Sequence, residues 1–344
     1  MILKVKSVPT KCEFFIEQGV IETLPKFLAK EKLGNKYAII TDKKIEKIHG
    51  TRIMALLKKH KIKAEIFSVA AGETSKKLQT IETLAEALLK KGFDRKDAIL
   101  SLGGGVVGDL AGFLASLYMR GIPYIQIPTN LLAMVDSAIG GKTGVDLPSG
   151  KNLIGTTHQP KAIFIDINFL KTLPENQIRN GLAEIIKYGV IKDKGLFKYI
   201  EKNLALIIQK DEKALKHIIE KSVNIKAKVV EKDVHEKGER MLLNYGHTFG
   251  HAIEQMSGYK LLHGYAISIG MVMANKMAVD KKLLSQKDAD RIKALFKAAE
   301  LPVTTMFKPT MKDLSKDKKK HGNHINFILP KKIGKAIIVP VKCS

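Results

Sequence analysis

The sequence contains no tryptophan and only two cysteines, Cys12 and Cys343, in 344 residues. Two cysteines near opposite ends of the chain form no recognisable motif, which argues against a disulfide scaffold and for a reducing compartment. No unbroken apolar run is long enough to span a bilayer, and the first residues lack the apolar core and cleavage site of a signal peptide. These absences predict a cytoplasmic protein with no membrane partner.

Acidic residues are scarce beside basic ones: 34 Asp and Glu against 59 Lys and Arg give a net charge of +25. A charge of this sign attracts nucleic acid or small anions. Aromatic residues make up only 6% of the chain, and no nucleic-acid motif interleaves them with the basic runs, so we expect no nucleic-acid partner. Most of the lysines are expected on solvated surfaces, and a small polyanionic substrate is compatible with the excess charge.

Strand and helix patterns alternate through the first half of the chain. Apolar stretches that are typical of buried strands occur at 36–41, 62–68, 97–102, 124–127 and 162–166. Helical patterns separate strands, and strands joined by helices form a parallel sheet with right-handed crossovers. We therefore predict an α/β fold whose N-terminal domain, residues 1–170, is a doubly wound, Rossmann-like parallel sheet.

The pattern changes from about residue 170. Helical periodicity dominates from 175 to about 300, and two short strand patterns at 326–330 and 335–339 close the chain. The length fits two domains, each able to bury its own core. We predict a mostly α-helical C-terminal domain over residues 171–344.

A glycine-rich turn follows the third predicted strand. Gly103, Gly105 and Gly108 satisfy G-x-G-x-x-G, and a helix pattern comes next. Glycines let the backbone approach a phosphate, and a helix N-terminus points unpaired N–H groups at it. The turn departs from the usual dinucleotide fingerprint, because it does not follow the first strand and no acidic residue lies about 20 positions later. Asp42, at the end of the first strand, could contact the ribose instead; a tight turn without a ligand is the alternative.

Histidines and one glutamate in the second half predict a metal site. His247 and His251 are four residues apart in a helical pattern, so their rings can share a face. His263 supplies a third imidazole and Glu184 a carboxylate, a donor set that suits a divalent cation. The residues alone favour both His247 and His251 as ligands. Lys187 lies one turn after Glu184 and could pair with it.

Many blocks of the sequence, in order over roughly residues 35 to 330, together resemble the sugar phosphate cyclase family, and within it the 3-dehydroquinate synthases. These blocks are 72–76, 103–109, 119–121, 127–137, 140–146, 150–155, the helix around Glu184, 242–254 and 262–264. So many matched blocks are far more specific than any single motif.

The resemblance implies a phosphorus–oxygen lyase. Its expected reaction converts 3-deoxy-D-arabino-heptulosonate 7-phosphate to 3-dehydroquinate and phosphate by oxidation, elimination, reduction, ring opening and aldol closure. NAD+ is expected to be reduced and reoxidised within one turnover. The family also implies one divalent cation per subunit, Zn²⁺ or Co²⁺, and a place in the shikimate pathway.

The resemblance also assigns roles to single residues. It gives the metal to Glu184, His247 and His263, and leaves His251 as an acid–base or phosphate-contacting residue. The substrate is expected to meet Lys142, Lys187, Lys226, Arg240, Asn152, Asn244, Asp136 and a loop lysine, Lys318 or Lys319. Arg120 is expected to reach the active site of a neighbouring subunit, which implies a homodimer.

The NAD+ contacts implied by the resemblance lie in the N-terminal part of the chain and in the segment that follows it. They are Asp42, Glu73, Lys76, Gly104, Gly105, Val106, Asp109, Thr129, Asn130, Lys142, Lys151, Leu170, Lys171 and Thr172.

This sequence departs from the family pattern at three places. Asn130 stands where a threonine is usual, and can still donate and accept hydrogen bonds. Val234-His235 replaces a usual Glu-Arg pair and puts a charged pair there in doubt. Tyr265 follows His263-Gly264 where glutamate is common, which removes a candidate carboxylate partner for a metal ligand.

Three other functions remain open on the sequence alone. Another sugar phosphate cyclase would make an inosose or a valiolone. A metal-dependent polyol dehydrogenase would accumulate NADH, whereas a cyclase would not. A basic RNA-associated protein would bind in a salt-sensitive way and would need neither the glycines nor the metal residues.

Overall fold

The structure is a computed structural model that describes residues 2–6, 11–234, 236–314, 320–321 and 324–342. The chain divides into two compact units, unit 1 (Met1–Leu173) and unit 2 (Pro174–Ser344). Unit 1 is α/β and unit 2 is mostly helical, so the predicted fold class is confirmed. Among the described residues, no helix has both the length and the apolar character needed to cross a membrane.

Unit 1 is built on a seven-stranded sheet and a two-stranded hairpin. Its strands are β1 (Ile2–Lys6), β2 (Lys11–Glu17), β3 (Tyr37–Asp42), β4 (Ala64–Val69), β5 (Ala98–Gly103), β6 (Tyr124–Pro128), β7 (Lys142–Leu147), β8 (Gly150–Thr157) and β9 (Ala162–Asp166). The sheet order is β1-β2-β9-β6-β5-β3-β4. Only β1 is antiparallel to its neighbour in this sheet, and β7 pairs with β8.

The helices of unit 1 cover this sheet. They are α1 (Leu24–Glu31), α2 (Lys43–Ile45), α3 (Thr51–Lys59), α4 (Leu78–Lys90) and α5 (Gly105–Leu117), with a π-helical turn, Glu46–Gly50, between α2 and α3. Apolar side chains of α4 and α5 pack on the sheet in one buried cluster that includes Ile81, Leu84, Leu110, Leu114 and Ile99. Strand runs that are buried on both faces read as continuous apolar sequence, which is why the pattern predicts them.

The strand order reverses next to β3. The chain passes from β3 to β4 on one side and then returns to β5 on the other. The carboxyl ends of β3 and β5, Asp42 and Gly103, therefore lie at the switch point of the sheet. Open α/β sheets bind ligands at this position.

Unit 2 contains a helical array and a three-stranded antiparallel sheet. The helices are α6 (Glu175–Ile191), α7 (Lys194–Ile208), α8 (Glu212–Lys232), α9 (His247–Met256), α10 (His263–Asp280), α11 (Gln286–Ala298) and α12 (Met311–Leu314). The strands are β10 (Lys320–His321), β11 (His324–Lys332) and β12 (Lys335–Lys342). The two strands predicted at the end of the chain are thus confirmed as β11 and β12.

Candidate active site

Close packing between α9 and α10 sets the geometry of the histidines. A Cβ atom on Gly270 of α10 would collide with Gly246 O and Gly250 N at the start of α9. Only glycine allows this approach, since any side chain would push the two helices apart. His247 and His263 are the first residues of α9 and α10. Because the two helices pack closely, the centroids of these two rings lie only 5.3 Å apart.

The start of α10 also docks on α6. Gly264 N donates a hydrogen bond to Asn180 Oδ1 at 2.6 Å, and a Cβ on Gly264 would overlap the backbone of Asn180. Asn180 lies one turn before Glu184 on α6. This contact places His263 beside Glu184.

Glu184, His247 and His263 form a compact group in unit 2. Each offers a ligand atom, and these atoms lie within 4.8 Å of one another. Glu184 Oε1 lies 3.3 Å from His247 Nε2 and 3.4 Å from His263 Nε2. The Glu184 side chain is fully buried at 0% exposed, so its charge needs compensation from groups inside the protein.

Each histidine is held through its other ring nitrogen. His247 Nδ1 lies 3.1 Å from the backbone oxygen of Tyr245, and His263 Nδ1 lies 3.3 Å from Glu254 Oε2. Metal-binding histidines generally carry such partners, which fix the ring and raise its basicity. The family pattern commonly has a glutamate at position 265 as a partner for a metal ligand, and here Tyr265 cannot fill that role. Glu254 supplies the carboxylate instead. Sequence reasoning missed it, although its three-residue spacing from His251 on the same helix was visible.

The contact between His247 and Glu184 fits a bound cation. A backbone oxygen only accepts hydrogen bonds, so His247 Nδ1 carries the proton in the neutral ring. Burial and the nearby Lys187 lower the pKa of His247 to about 4, which keeps the ring neutral at pH 7. Its bare Nε2 then faces a carboxylate oxygen at 3.3 Å. Two electron-rich atoms at this distance favour a positive ion between them.

Lys187 shares the buried environment of Glu184. Its Nζ pairs with Glu184 Oε2, as the helical spacing predicts, and its side chain is 1% exposed. Burial raises the pKa of Glu184, but Lys187 and the two histidines outweigh this effect and hold the pKa well below its usual value. Burial lowers the pKa of His263, whereas Glu254 and Glu184 overcome it and raise this pKa to about 10.

His251 belongs to a second group. It joins Glu254 and His263 in a set of potential ligand atoms within 4.8 Å of one another, and it is partly exposed. Its ring centroid lies 5.3 Å from that of His247 and 6.1 Å from that of His263. The structure thus brings all three predicted histidines together but groups Glu184 with His247 and His263.

A loop orders the residues that precede α9. The carboxylate of Asp233 accepts hydrogen bonds from the backbone N–H groups of Lys237, Gly238 and Arg240 at 2.7 to 3.0 Å. The buried guanidinium of Arg240 donates to Val234 O at 2.7 Å, and Asn244 Nδ2 donates to Glu236 Oε1 at 2.5 Å.

The other predicted substrate residue of this part of unit 2, Lys226, is buried on α8. His235 and the predicted substrate lysine, Lys318 or Lys319, lie outside the described residues.

In unit 1, the glycine-rich turn forms a narrow cradle at the start of α5. A Cβ on Gly104 would collide with the side chain of Asn130, whose Oδ1 accepts a hydrogen bond from Ala133 N at 2.8 Å. Thr129 N donates to Gly103 O at 2.9 Å. Thr129 Oγ1 is buried and has no hydrogen-bond partner among the described residues. A buried hydroxyl without a partner fits a ligand that would satisfy it.

A second cluster in unit 1 joins five of the predicted residues. Lys76 is 4% exposed, and its Nζ lies 2.6 Å from Asp109 Oδ2 and also contacts Asn152 Oδ1. Lys151 Nζ lies 3.7 Å from Glu73 Oε2. Burial, together with the neighbouring carboxylate of Asp146, raises the pKa of Glu73 more than the two lysines lower it.

The remaining predicted residues of unit 1 lie outside the Lys76 cluster and outside the contacts described for the glycine-rich turn. The Asp42 side chain caps α2, accepting hydrogen bonds from Lys44 N and Ile45 N. Leu170, Lys171 and Thr172 lie in a 3₁₀ turn, and Thr172 Oγ1 is 3.3 Å from the ring of the buried His49. Lys142 is the exposed first residue of β7, and Val106 lies in the first turn of α5. Arg120 is exposed with a left-handed φ of 69°, and Asp136 lies in a π-helical turn, Ala133–Ser137.

Solved structures resemble this fold over nearly its full length. A 2-deoxy-scyllo-inosose synthase complexed with carbaglucose-6-phosphate, NAD+ and Co²⁺ has a TM-score of 0.90 at 27% identity, covering 99% of this chain and 97% of its own. The 2-epi-5-epi-valiolone synthase of Streptomyces hygroscopicus subsp. jinggangensis 5008, with NAD+ and Zn²⁺ bound, has a TM-score of 0.87 at 28% identity, covering 99% and 95%. The fold is therefore that of the sugar phosphate cyclases.

Sequence comparisons define the family within this class. The N-terminal 3-dehydroquinate synthase model matches residues 66–180 and the C-terminal one residues 181–320. A 3-dehydroquinate synthase of Prochlorococcus marinus (strain MIT 9312) is 46% identical over 331 residues, which cover 94% of this chain and 91% of that relative. The chain belongs to the 3-dehydroquinate synthase family, as its sequence blocks predicted.

Proposed function

We propose that this protein is a phosphorus–oxygen lyase that converts 3-deoxy-D-arabino-heptulosonate 7-phosphate to 3-dehydroquinate and inorganic phosphate, a step of the shikimate pathway. The observation that carries the proposal is the Glu184, His247 and His263 group in a chain 46% identical to a 3-dehydroquinate synthase. Solved relatives with NAD+ and Co²⁺ or Zn²⁺ support the same cofactors here.

Unit 1 is the proposed NAD+-binding domain. The cradle of Gly104, Gly105, Thr129 and Asn130 would hold the pyrophosphate, because α5 begins there and the Thr129 hydroxyl lacks a partner among the described residues. Glu73, Lys76, Asp109 and Lys151 supply further polar contacts. Bound there, NAD+ would supply a reversible hydride acceptor, and no net NADH is expected to accumulate.

Unit 2 is the proposed metal- and substrate-binding domain. Glu184, His247 and His263 would hold one Zn²⁺ or Co²⁺, and three protein ligands leave positions open for substrate oxygens. A cation held by these residues would supply Lewis acidity, which makes a substrate hydroxyl easier to deprotonate. His251, partly exposed beside this group, would move a proton. Lys187 would supply a positive charge next to Glu184.

Basic side chains would bind the anionic groups of the substrate. A guanidinium such as that of Arg240 suits a carboxylate or phosphate through paired hydrogen bonds, whereas a lysine acts as a point charge. The proposed substrate contacts are Lys142, Lys187, Lys226, Arg240, Asn152, Asn244, Asp136 and a loop lysine, Lys318 or Lys319. We also propose a homodimer in which Arg120 serves the neighbouring active site. The cytoplasmic location stays a prediction.

The test is incubation of the purified protein with the heptulosonate phosphate, NAD+ and zinc. Phosphate release, 3-dehydroquinate formation and no net NADH are the expected results. Net NADH without phosphate release would overturn the proposal and favour a dehydrogenase. An inosose or valiolone as product from another sugar phosphate, without turnover of the heptulosonate, would place the protein in a different cyclase group.

A further inference from the structure

Asp146 is a residue that the proposed mechanism does not use, yet it contacts three predicted site residues: its backbone or carboxylate bonds Lys76 and Asn152, and its carboxylate also meets the side chain of Glu73. It lies in β7 where the register with β8 shifts between Val145 and Leu147. Asp146 N donates to Lys76 O at 2.8 Å, and Asp146 Oδ1 accepts from Asn152 N at 2.7 Å. One residue of the hairpin therefore binds the backbone of both Lys76 and Asn152.

The backbone of Asn152 needs this support. Its φ of 54° is left-handed, a conformation that asparagine tolerates but does not prefer. In this conformation the Asn152 amide oxygen accepts a hydrogen bond from Lys76 Nζ. The charged hydrogen bond from Asn152 N to Asp146 offsets the cost of the left-handed backbone.

Lys76 in turn depends on Asn152 for its direction. An ammonium group has three donors, and Asp109 and Asn152 accept two of them. The direction of the third is fixed by these two contacts. The side chains of Lys76 and Asn152 are therefore aimed together, and Asp146 orients the backbone from which Asn152 reaches Lys76.

We propose that Asp146 is a positioning residue that holds Asn152 in its left-handed conformation and so aligns Asn152 and Lys76 for ligand binding. The inference deepens the proposed function and rests on it for the identity of the ligands, the sugar phosphate and NAD+. Asp146 acts on the substrate through Asn152 and need not touch either ligand. Its separate contact with Glu73 concerns the NAD+ side of the site, so the substrate KM at saturating NAD+ reports the Asn152 route.

The test compares Asp146→Ala with Asp146→Asn, which keeps an acceptor oxygen and removes the charge. We expect Asp146→Ala to raise the substrate KM about tenfold with kcat nearly unchanged, since binding is lost equally in the ground and transition states. Asp146→Asn should stay within about twofold of wild type, because its amide oxygen still accepts from Asn152 N. Asp211→Ala, which removes a similar carboxylate–backbone bond at the start of α8, is the control.

Two further measurements separate positioning from a general structural role. In an Asn152→Ala background, Asp146→Ala should cause no additional rise in KM, because the residue through which it acts is gone. In the ligand-free protein, hydrogen exchange at the Asn152 amide should accelerate in Asp146→Ala and stay slow in Asp146→Asn.

The inference would be overturned if Asp146→Ala and Asn152→Ala raised KM independently, so that their effects multiply in the double variant. It would also be overturned if hydrogen exchange at the Asn152 amide were unchanged in Asp146→Ala. The exchange measurement needs no turnover, so it decides the role of Asp146 even if the wild-type protein releases no phosphate, an outcome that would count against the proposed function alone.

Discussion

Glu254 gives a sharp test of the candidate metal group, because it contacts a proposed ligand without belonging to the Glu184 group. Its side chain is buried, and its Oε2 lies 3.3 Å from His263 Nδ1, while His263 Nε2 faces Glu184 at 3.4 Å. Glu254→Ala removes the partner that orients the ring. Glu254→Gln keeps an oxygen acceptor and removes the charge.

The expected magnitude follows from the protonation of His263. Partners of this kind contribute about 10–100-fold to metal affinity. The pKa of His263 is raised to about 10, so at neutral pH a metal ion displaces a proton that Glu254 also stabilises. Glu254→Ala destabilises both the metal-bound protein and the metal-free protein with protonated His263, so part of its effect on metal affinity cancels. We therefore expect Glu254→Ala to lower zinc affinity by about tenfold, or about 1.4 kcal/mol, at the lower end of that range. Glu254→Gln should lose about threefold.

Calorimetric titration of the metal-free protein with zinc, in two buffers of different ionisation enthalpy, measures affinity and proton release together. Wild-type protein should release about one proton from His263 at neutral pH. Both variants should release fewer, because the pKa of His263 falls when the carboxylate is removed. Glu231→Gln, an exposed glutamate of α8, is the control. Wild-type affinity with undiminished proton release in Glu254→Ala would refute the reasoning.

Three other outcomes are expected. Thr129→Val removes a buried hydroxyl without a partner among the described residues, so the ligand-free protein should melt at the same or a higher temperature while NAD+ binds about tenfold more weakly by calorimetry; equal NAD+ affinity would contradict this. His251→Ala should retain zinc by elemental analysis but lose about 100-fold or more in kcat, and loss of the metal would mean that His251 is a ligand. The metal-free protein should melt at lower temperatures as the pH rises from neutrality toward 10. The pKa of His263 in the folded protein, about 10, lies above its ordinary value of about 6.5. The stabilisation from the charged ring is therefore complete below about pH 6.5 and is lost as the pH rises through about 10. His263→Ala should abolish this dependence, and a Tm that does not fall in the wild type would contradict it.

The parallel sheet of unit 1 is predictable because its central strands are apolar throughout, whereas the β7–β8 hairpin is not. Gly144 and Gly155 face each other across the hairpin, where a Cβ on either would overlap the backbone of the opposite strand. This hairpin is specified by close backbone approach rather than by apolar alternation, so periodicity carries no signal for it. β2 was missed for a different reason. It joins the sheet beside β9, about 150 residues later in the chain, and no local pattern identifies that partner.

The metal group shows what helical spacing decides and what it leaves open. A separation of four residues tells us that His247 and His251 share a face of α9, but not which ring meets Glu184. That choice depends on the close contact at Gly270 and on the hydrogen bond between Gly264 and Asn180, residues 84 positions apart. His263 was a candidate from the residues alone, and the resemblance to a family, rather than the spacing, selected His247 over His251 as the second histidine ligand. The same contacts orient Glu254 toward His263, so no motif within α9 alone could reveal the role of this carboxylate.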